Sequence, residues 1–456
     1  MFSDVSELIA HNPPALHYGV AVTDTDGDDR LEFVVAGFSG PNRVLRWQAG
    51  KLRDAAPPEV ADPEQPAVAL AAADLDGDGR EELYIHNTDA SSGPKRSPDR
   101  LLDPRPDGRW DDLFDLPQNR SVRNYSAGRS VAALDRRGVG RYGFVVASHG
   151  LPMRFYELSP GGSLADLAPS LGLDRVAGGR GLLTLPLFSD HPDIFCVNEY
   201  GPNFAFRNRG DGTFVECAQE FGLDDPDEHA RGVSAFDPGG DGTLALCWGN
   251  WDGPHRLMYR RPNRRWCDGA TPGLAFPSAV RNVIAADFDN DGNDELFFNN
   301  FGEPNRLFRA TPGLTMLDPG EAVDADGFGT GAAVCDIDGD GVLELLIARG
   351  ELEPQSLGVY KVKAAARNGW LRVRPLTRFG APARGAVVRA EVDGRVRVKA
   401  VCGGSGYLSQ MEPVAHFGFG SGGPAERLQV MWPDGTAVVI LNPGWQRTIT
   451  VPYPRG

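Results

Sequence analysis

A segment of about fifty residues recurs along this chain, and most copies set a short acidic loop between two strand-like apolar runs. Val20-Ala-Val-Thr leads into Asp24-Thr-Asp26-Gly-Asp28, with Glu32 at the ninth loop position and Phe33-Val-Val-Ala after it. The same nine-residue frame gives Asp74, Asp76, Asp78 and Glu82, then Asp287, Asp289, Asp291 and Glu295, then Asp336, Asp338, Asp340 and Glu344. Weaker copies reach Asp135 and Asp237-Pro-Gly-Gly-Asp241, and the copy after Arg180 has lost its acidic loop. The copies start near 24, 74, 135, 186, 237, 287 and 336, and each has room for four short strands. Seven such units can close into a ring without an exposed sheet edge, so residues 1–365 are expected to form a seven-bladed β-propeller. An open solenoid would need helices or a hexapeptide spacing, and neither is present. Gly 57 and Pro 36 of 456 residues also favour frequent turns over long helices.

The period stops near residue 366. Beyond it, alternating runs such as Ala386-Val-Val-Arg and Arg395-Val-Arg-Val are separated by turns at Asp393-Gly394 and Asp434-Gly435. Residues 366–456 are expected to be a small β-sandwich, making the whole chain all-β.

The Asp-x-Asp-x-Asp-Gly-x-x-Glu frame turns several oxygens toward one point. Carboxylates at positions 1, 3 and 5, a carbonyl near position 7 and the acid at position 9 suit a hard cation, Ca²⁺ rather than zinc or copper. About four structural Ca²⁺ sites are expected. The charge distribution agrees: the net charge is −16, and positions 1, 3, 5 and 9 of these four loops hold sixteen carboxylates. An acidic chain of this kind is not a general nucleic-acid binder. No apolar run approaches the ~18 to 20 residues needed to cross a bilayer. Six scattered cysteines show no zinc spacing. The first residues, Met1-Phe2-Ser3-Asp4-Val5, have neither a basic nor an apolar signal region, which predicts a cytoplasmic protein, or a secreted one if a leader was removed.

The acidic loops resemble FG-GAP repeats of the integrin α-subunit type. Gly403-Gly-Ser-Gly-Tyr407-Leu-Ser-Gln410, His416-Phe-Gly-Phe-Gly420 and Val430-Met-Trp-Pro-Asp-Gly435 resemble the ASPIC/UnbV domain. Together they resemble the cartilage acidic protein family over nearly the whole chain. That resemblance implies a secreted matrix protein among animal relatives and natural-product biosynthesis among bacterial ones. The missing signal region and missing Cys-rich tail turn the expectation toward biosynthesis.

In a propeller the innermost strands line the axis. Counting six residues back from each first loop Asp gives Tyr18, Val68, Arg129, Arg231, Arg281 and Thr330, with Arg180 aligned in the degenerate copy. Six residues past the ninth position come Phe38, Thr88, His149, Glu199, Trp251, Phe301 and Gly350, beside Tyr200, Asp252 and Glu303. The face opposite the calcium loops should therefore gather Arg129, Arg180, Arg231 and Arg281 with Tyr18, Phe38, Tyr200, Trp251 and Phe301 around an anionic, partly apolar small molecule. Alternatively, the arginines pair with Glu199, Asp252 or Glu303 and close the channel.

No nucleophile elbow, P-loop or metalloprotease motif occurs. Aromatic faces with a protonated acid would fit proton-initiated cyclisation of a prenylated acid, an isomerase-type terpenoid cyclase reaction. Asp252, Glu199 and Glu303 are the candidate acids, and His149 a partner or terminating base. The alternative is a non-catalytic, calcium-dependent extracellular binding or adhesion protein. Oligomeric state is not readable from the sequence.

Overall fold

The innermost strand of each repeat is an unbroken apolar run because it is buried on both sides by neighbouring repeats. Val20 and Val22 pack toward the last repeat beside Ala333 and Ala348, while Ala21 packs the other way with Leu70 and Ala72 of the second. The computed structural model, which describes residues 1–311 and 313–454, arranges these repeats as seven four-stranded antiparallel blades. The first is built from His17–Thr23, Glu32–Gly37, Arg43–Gln48 and Lys51–Asp54. Innermost strands of later blades begin at Ala67, Gly128, Val176, Ala230, Val280 and Gly329. Each of these seven strands touches the next, and the seventh touches the first, so the ring closes. The N-terminal strand Ser3–Asp4 supplies the outermost strand of the last blade, pairing Ser3 with Lys361 and Asp4 with Tyr360. That pairing ties the two ends of the ring together. The third and fourth blades are also joined edge to edge, where His149 pairs with Gly178.

One irregularity repeats in all seven blades. The register between the first two strands shifts at 17/20, 67/69, 128/130, 179/182, 230/233, 280/282 and 329/332. Tyr18, Val68, Arg129, Arg180, Arg231, Arg281 and Thr330 sit within these bulges. A bulge adds a residue without a ladder partner and re-aims its side chain.

The C-terminal part has two sheets. One pairs Gly369–Pro375 with Ala415–Gly420 and Arg447–Val451; the other runs Arg395–Ala400, Val387–Val392, Arg427–Met431, Ala437–Leu441. Leu371, Phe417, Val388 and Val430 from both sheets share one core.

This domain sits on the face of the ring that carries the acidic loops, and a single segment, Gly403–Gln410, runs into the axis. Gly403 accepts from Ala133 N–H at 3.0 Å, Gly406 donates to Val233 at 2.9 Å, and Gln410 exchanges backbone bonds with Val20 and Val22. Leu408 N–H reaches Ser130 and Tyr407 N–H reaches Asn282, both at 3.0 Å. The Gln410 amide also bonds both backbone groups of Ala72. The segment thus bonds to six blades, five through backbone groups and one through the Asn282 side chain, when Ser409, accepting from Ala332 N–H, is included. Glycine is needed where it passes: a Cβ on Gly403 would lie 2.0 Å from the Ala133 carbonyl oxygen, and Gly406 has φ of 87°.

Candidate functional site

Two features of the ring are candidates, one on each face. On the C-terminal-domain side, the acidic loops bring carboxylates together as Asp24–Asp26–Glu32, Asp74–Asp76–Asp78, Asp287–Asp289–Asp291 and Asp336–Asp338–Glu344, each set with oxygens within 4.8 Å. The local reason is the turn itself. The first Asp accepts backbone N–H bonds from within its own loop, as Asp74 does from Gly77 at 2.6 Å and Gly79 at 3.1 Å. The ninth-position Glu uses one oxygen to accept from the backbone of the second position, seen for Thr25, Leu75, Phe288 and Ile337. Its other oxygen, Oε1, faces Arg46, Arg309 or Lys361 in three loops and has no partner in Glu82.

The residues fit a hard divalent cation. Glu82 Oε1, Asp287 Oδ1 and Asp336 Oδ1 are buried without a hydrogen-bond partner. Burial, with neighbouring carboxylates, pushes Asp74 and Asp287 up to about 7 and Glu344 up to about 8. Such groups are waiting for positive charge. Not every predicted ligand joins a cluster: the Asp28 carboxylate is turned to Arg30. Blades without the full loop keep backbone bonds of this kind: Asp135 accepts from Gly140, Asp237 from Gly242 and Val398, and Asp193, at the place of the ninth-position Glu, from Phe188.

The loops also hold the C-terminal domain. Gly418 N–H donates to Asp287 at 2.9 Å, and Asp336 N–H donates to Glu412, itself bridged by Arg372 at 2.7 Å. Arg384, fully buried, reaches Glu81 at 2.7 Å.

The opposite face has a cavity of about 390 Å³ on the axis. It is lined by Arg129, Arg180, Arg231 and Arg281, with Tyr18 and Phe38 on one wall and Tyr407 from the C-terminal domain. Two carboxylates meet the guanidiniums. Glu199 is spanned by Arg180 and Arg231, and Glu351 pairs with Arg281 at 2.7 Å. Asp89 also lines the cavity. Arg129 donates to the Gly128 carbonyl at 2.7 Å and has no carboxylate within 4.0 Å among the described residues. Burial alone would raise the Tyr407 phenol, but the guanidiniums of Arg180, Arg281, Arg129 and Arg231 bring it down to about 8.

The other residues named from the sequence are placed less favourably. Trp251 and Phe301 flank Arg281, with ring centroids 4.6 and 4.7 Å from its guanidinium, but do not line the cavity. Tyr200 is 57% exposed, outside the cavity, beside His149 and His229. Thr330 is buried and spends its hydroxyl on the His17 and Ala348 carbonyls.

The candidate acids require correction. Asp252, expected against apolar walls, is exposed on a left-handed turn with φ of 53°. Glu303 accepts from Ala279 N–H, half-buried and away from the cavity. Glu199 faces two cations, the wrong environment for a protonated acid. His149 is pushed down to about 4 by burial and by Arg180 and Arg129, so it is neutral at pH 7. The sequence reading missed Tyr407, Glu351 and Asp89.

Comparison with known proteins bears on both faces. The FG-GAP-like repeat family matches residues 24–85 and 287–347, and the ASPIC and UnbV family matches 377–456. Cartilage acidic protein 1 of Xenopus tropicalis is 45% identical, covering 95% of this chain and 74% of that protein. The Homo sapiens protein of the same name is 43% identical, over 97% and 73%. Among solved structures, the BP39L lectin from Burkholderia pseudomallei is similar in fold, with a TM-score of 0.54 at 14% identity over 77% of this chain and 97% of the lectin. The cytoplasmic expectation is overturned by these relatives, cartilage acidic proteins, which point to secretion.

Proposed function

Because this chain belongs to the cartilage acidic protein family, we propose that it is a secreted, calcium-stabilised binding protein whose propeller mouth takes an anionic group of its partner. The observation that carries this reading is the cavity itself: four guanidiniums against three carboxylates, Glu199, Glu351 and Asp89, in a protein of net charge −16. Guanidinium forks match carboxylate, sulfate or phosphate oxygens in pairs. Tyr18 and Phe38, with ring centroids 5.0 Å apart, give the same ligand an apolar wall.

Calcium acts at a distance in this scheme. Oxygen-only donors and several carboxylates per loop favour Ca²⁺ among available ions. The ions hold the loops, the loops hold the C-terminal domain through Asp287 and Asp336, and that domain delivers Tyr407 to the mouth. Proton-initiated cyclisation does not suit this site, where Glu199, the one candidate acid lining the cavity, is held between two cations.

The test is calorimetric titration of the full chain, in calcium, with benzoate and phenyl phosphate, using benzyl alcohol as the uncharged control. Saturable binding of either anion, absent for the alcohol, supports the reading. Equal or absent binding of all three rejects it.

A further inference from the structure

We propose that the four acidic loops are unequal cation sites, and that the loop at 74–82, completed by Asp103, is the tight one. The argument is independent of what the mouth binds. It rests on one position, the residue of each blade's third strand that lies beside the ninth-position Glu.

In three blades that residue is basic. Arg46 reaches Glu32 at 3.0 Å and Asp26 at 2.8 Å. Arg309, directly paired with Glu295 across the strands, reaches Asp289 at 2.8 Å and Asp291 at 3.4 Å. Lys361, paired with Glu344, reaches both Asp338 and Asp340 at 2.9 Å and touches Glu344. Each of these loops carries its own internal counter-charge.

The second blade has Asp103 there instead. Its carboxylate converges with Asp76 and Glu82, oxygens within 4.8 Å, on the loop that also joins Asp74 and Asp78. Among the described residues no Lys, Arg or His lies within 4.0 Å of Asp74, Asp76 or Glu82. Glu82 is 1% exposed, and its Oε1 has no partner. The nearest cations pair with the other two carboxylates: Arg80 holds Asp78 at 2.7 Å, and Arg105 touches Asp103 at 3.0 Å while shared with Asp111.

A divalent cation entering the other three loops must share carboxylates with a fixed guanidinium or ammonium, which repels it in a partly buried, low-dielectric site. At 74–82 two carboxylate triads share Asp76, and Asp74, Asp76 and Glu82 have no cation within 4.0 Å among the described residues; affinity in oxygen-ligand sites rises with such uncompensated ligand charge.

The test is titration of the chelator-stripped full chain with Ca²⁺ against a chromophoric competitor. The expected isotherm has one site at least about tenfold tighter than the rest. Asp103→Asn should weaken that class by about tenfold or more, while the circular dichroism spectrum in saturating calcium stays unchanged. Arg309→Gln should create a second tight site. Indistinguishable sites in the parent chain, or a tight class that survives Asp103→Asn, overturn the proposal. If Asp103→Asn does not fold, Arg309→Gln decides: no gain in affinity overturns it.

Discussion

The Tyr407 hydroxyl, carried through the ring by the C-terminal domain, accepts from Arg180 Nη1 at 3.4 Å on the opposite face of the propeller. Residues 227 positions apart in the chain therefore share one cavity. The cavity is a product of both domains, and its properties should respond to changes in either.

The phenol makes anion binding depend on pH. Its folded-state value of about 8 lies below the ordinary phenol value of 10.0, because four guanidiniums outweigh burial. Deprotonation therefore favours the folded state, a contribution fully present above pH ~10 and lost as pH falls through ~8. For an anionic ligand the sign reverses, since a phenolate competes for the same guanidiniums. Phenyl phosphate affinity should fall as pH rises through ~8, and Tyr407→Phe should remove that inflection. Tyrosinate absorbance of the two proteins checks the assignment.

Arg129 and Glu199 should act in opposite directions. Arg129 is the mouth guanidinium without a carboxylate partner, so Arg129→Gln should weaken phenyl phosphate binding by about tenfold, or about 1.4 kcal/mol. Glu199 occupies Arg180 and Arg231, so Glu199→Gln frees both and should tighten binding. It also leaves two buried guanidiniums without their carboxylate, which should lower unfolding stability by about 3 kcal/mol. Calorimetry and thermal melts together read the pair.

Removing the cations should loosen the domain contact before the ring. With chelator, the carboxylates of Asp287 and Asp336 repel their neighbours while still holding Gly418 N–H and Arg372, and the Asp336 N–H still donates to Glu412. Hydrogen exchange should rise first in residues 403–420 and in the loops, with the innermost strands protected. Uniform exchange changes across all seven blades would contradict this order.

The axial segment should tolerate no added methyl at Gly406. Its φ is 87°, and a Cβ would lie 2.1 Å from Asn282 Oδ1, the atom that accepts from Tyr407 N–H. Gly406→Ala should cost about 2 kcal/mol or more and displace Tyr407. The check is a thermal melt alongside loss of the pH inflection near 8.

What the sequence disclosed followed from local spacing. The acidic clusters were legible because positions 1, 3, 5 and 9 of one loop meet within that loop. The mouth arginines were countable because each innermost strand runs the same length from its bulge to its loop. Tyr407 was not legible in this role, since it arrives from a different domain along a path set by six blades. The acids were misjudged for a related reason: residues after the second strand sit in turns that differ between blades. Asp252, followed by Gly253, turns outward, whereas Glu199 remains buried between arginines. The Asp-Gly pair was a turn signal that could have argued against Asp252.

The most direct test of the account is a crystal of the full chain grown in calcium and soaked with phenyl phosphate. The account predicts the phosphate in the axial cavity, within hydrogen-bond reach of Arg129 and at least one of Arg180, Arg231 and Arg281. An empty cavity in a crystal whose mouth is open to solvent, or the ligand bound only elsewhere on the protein, would contradict it.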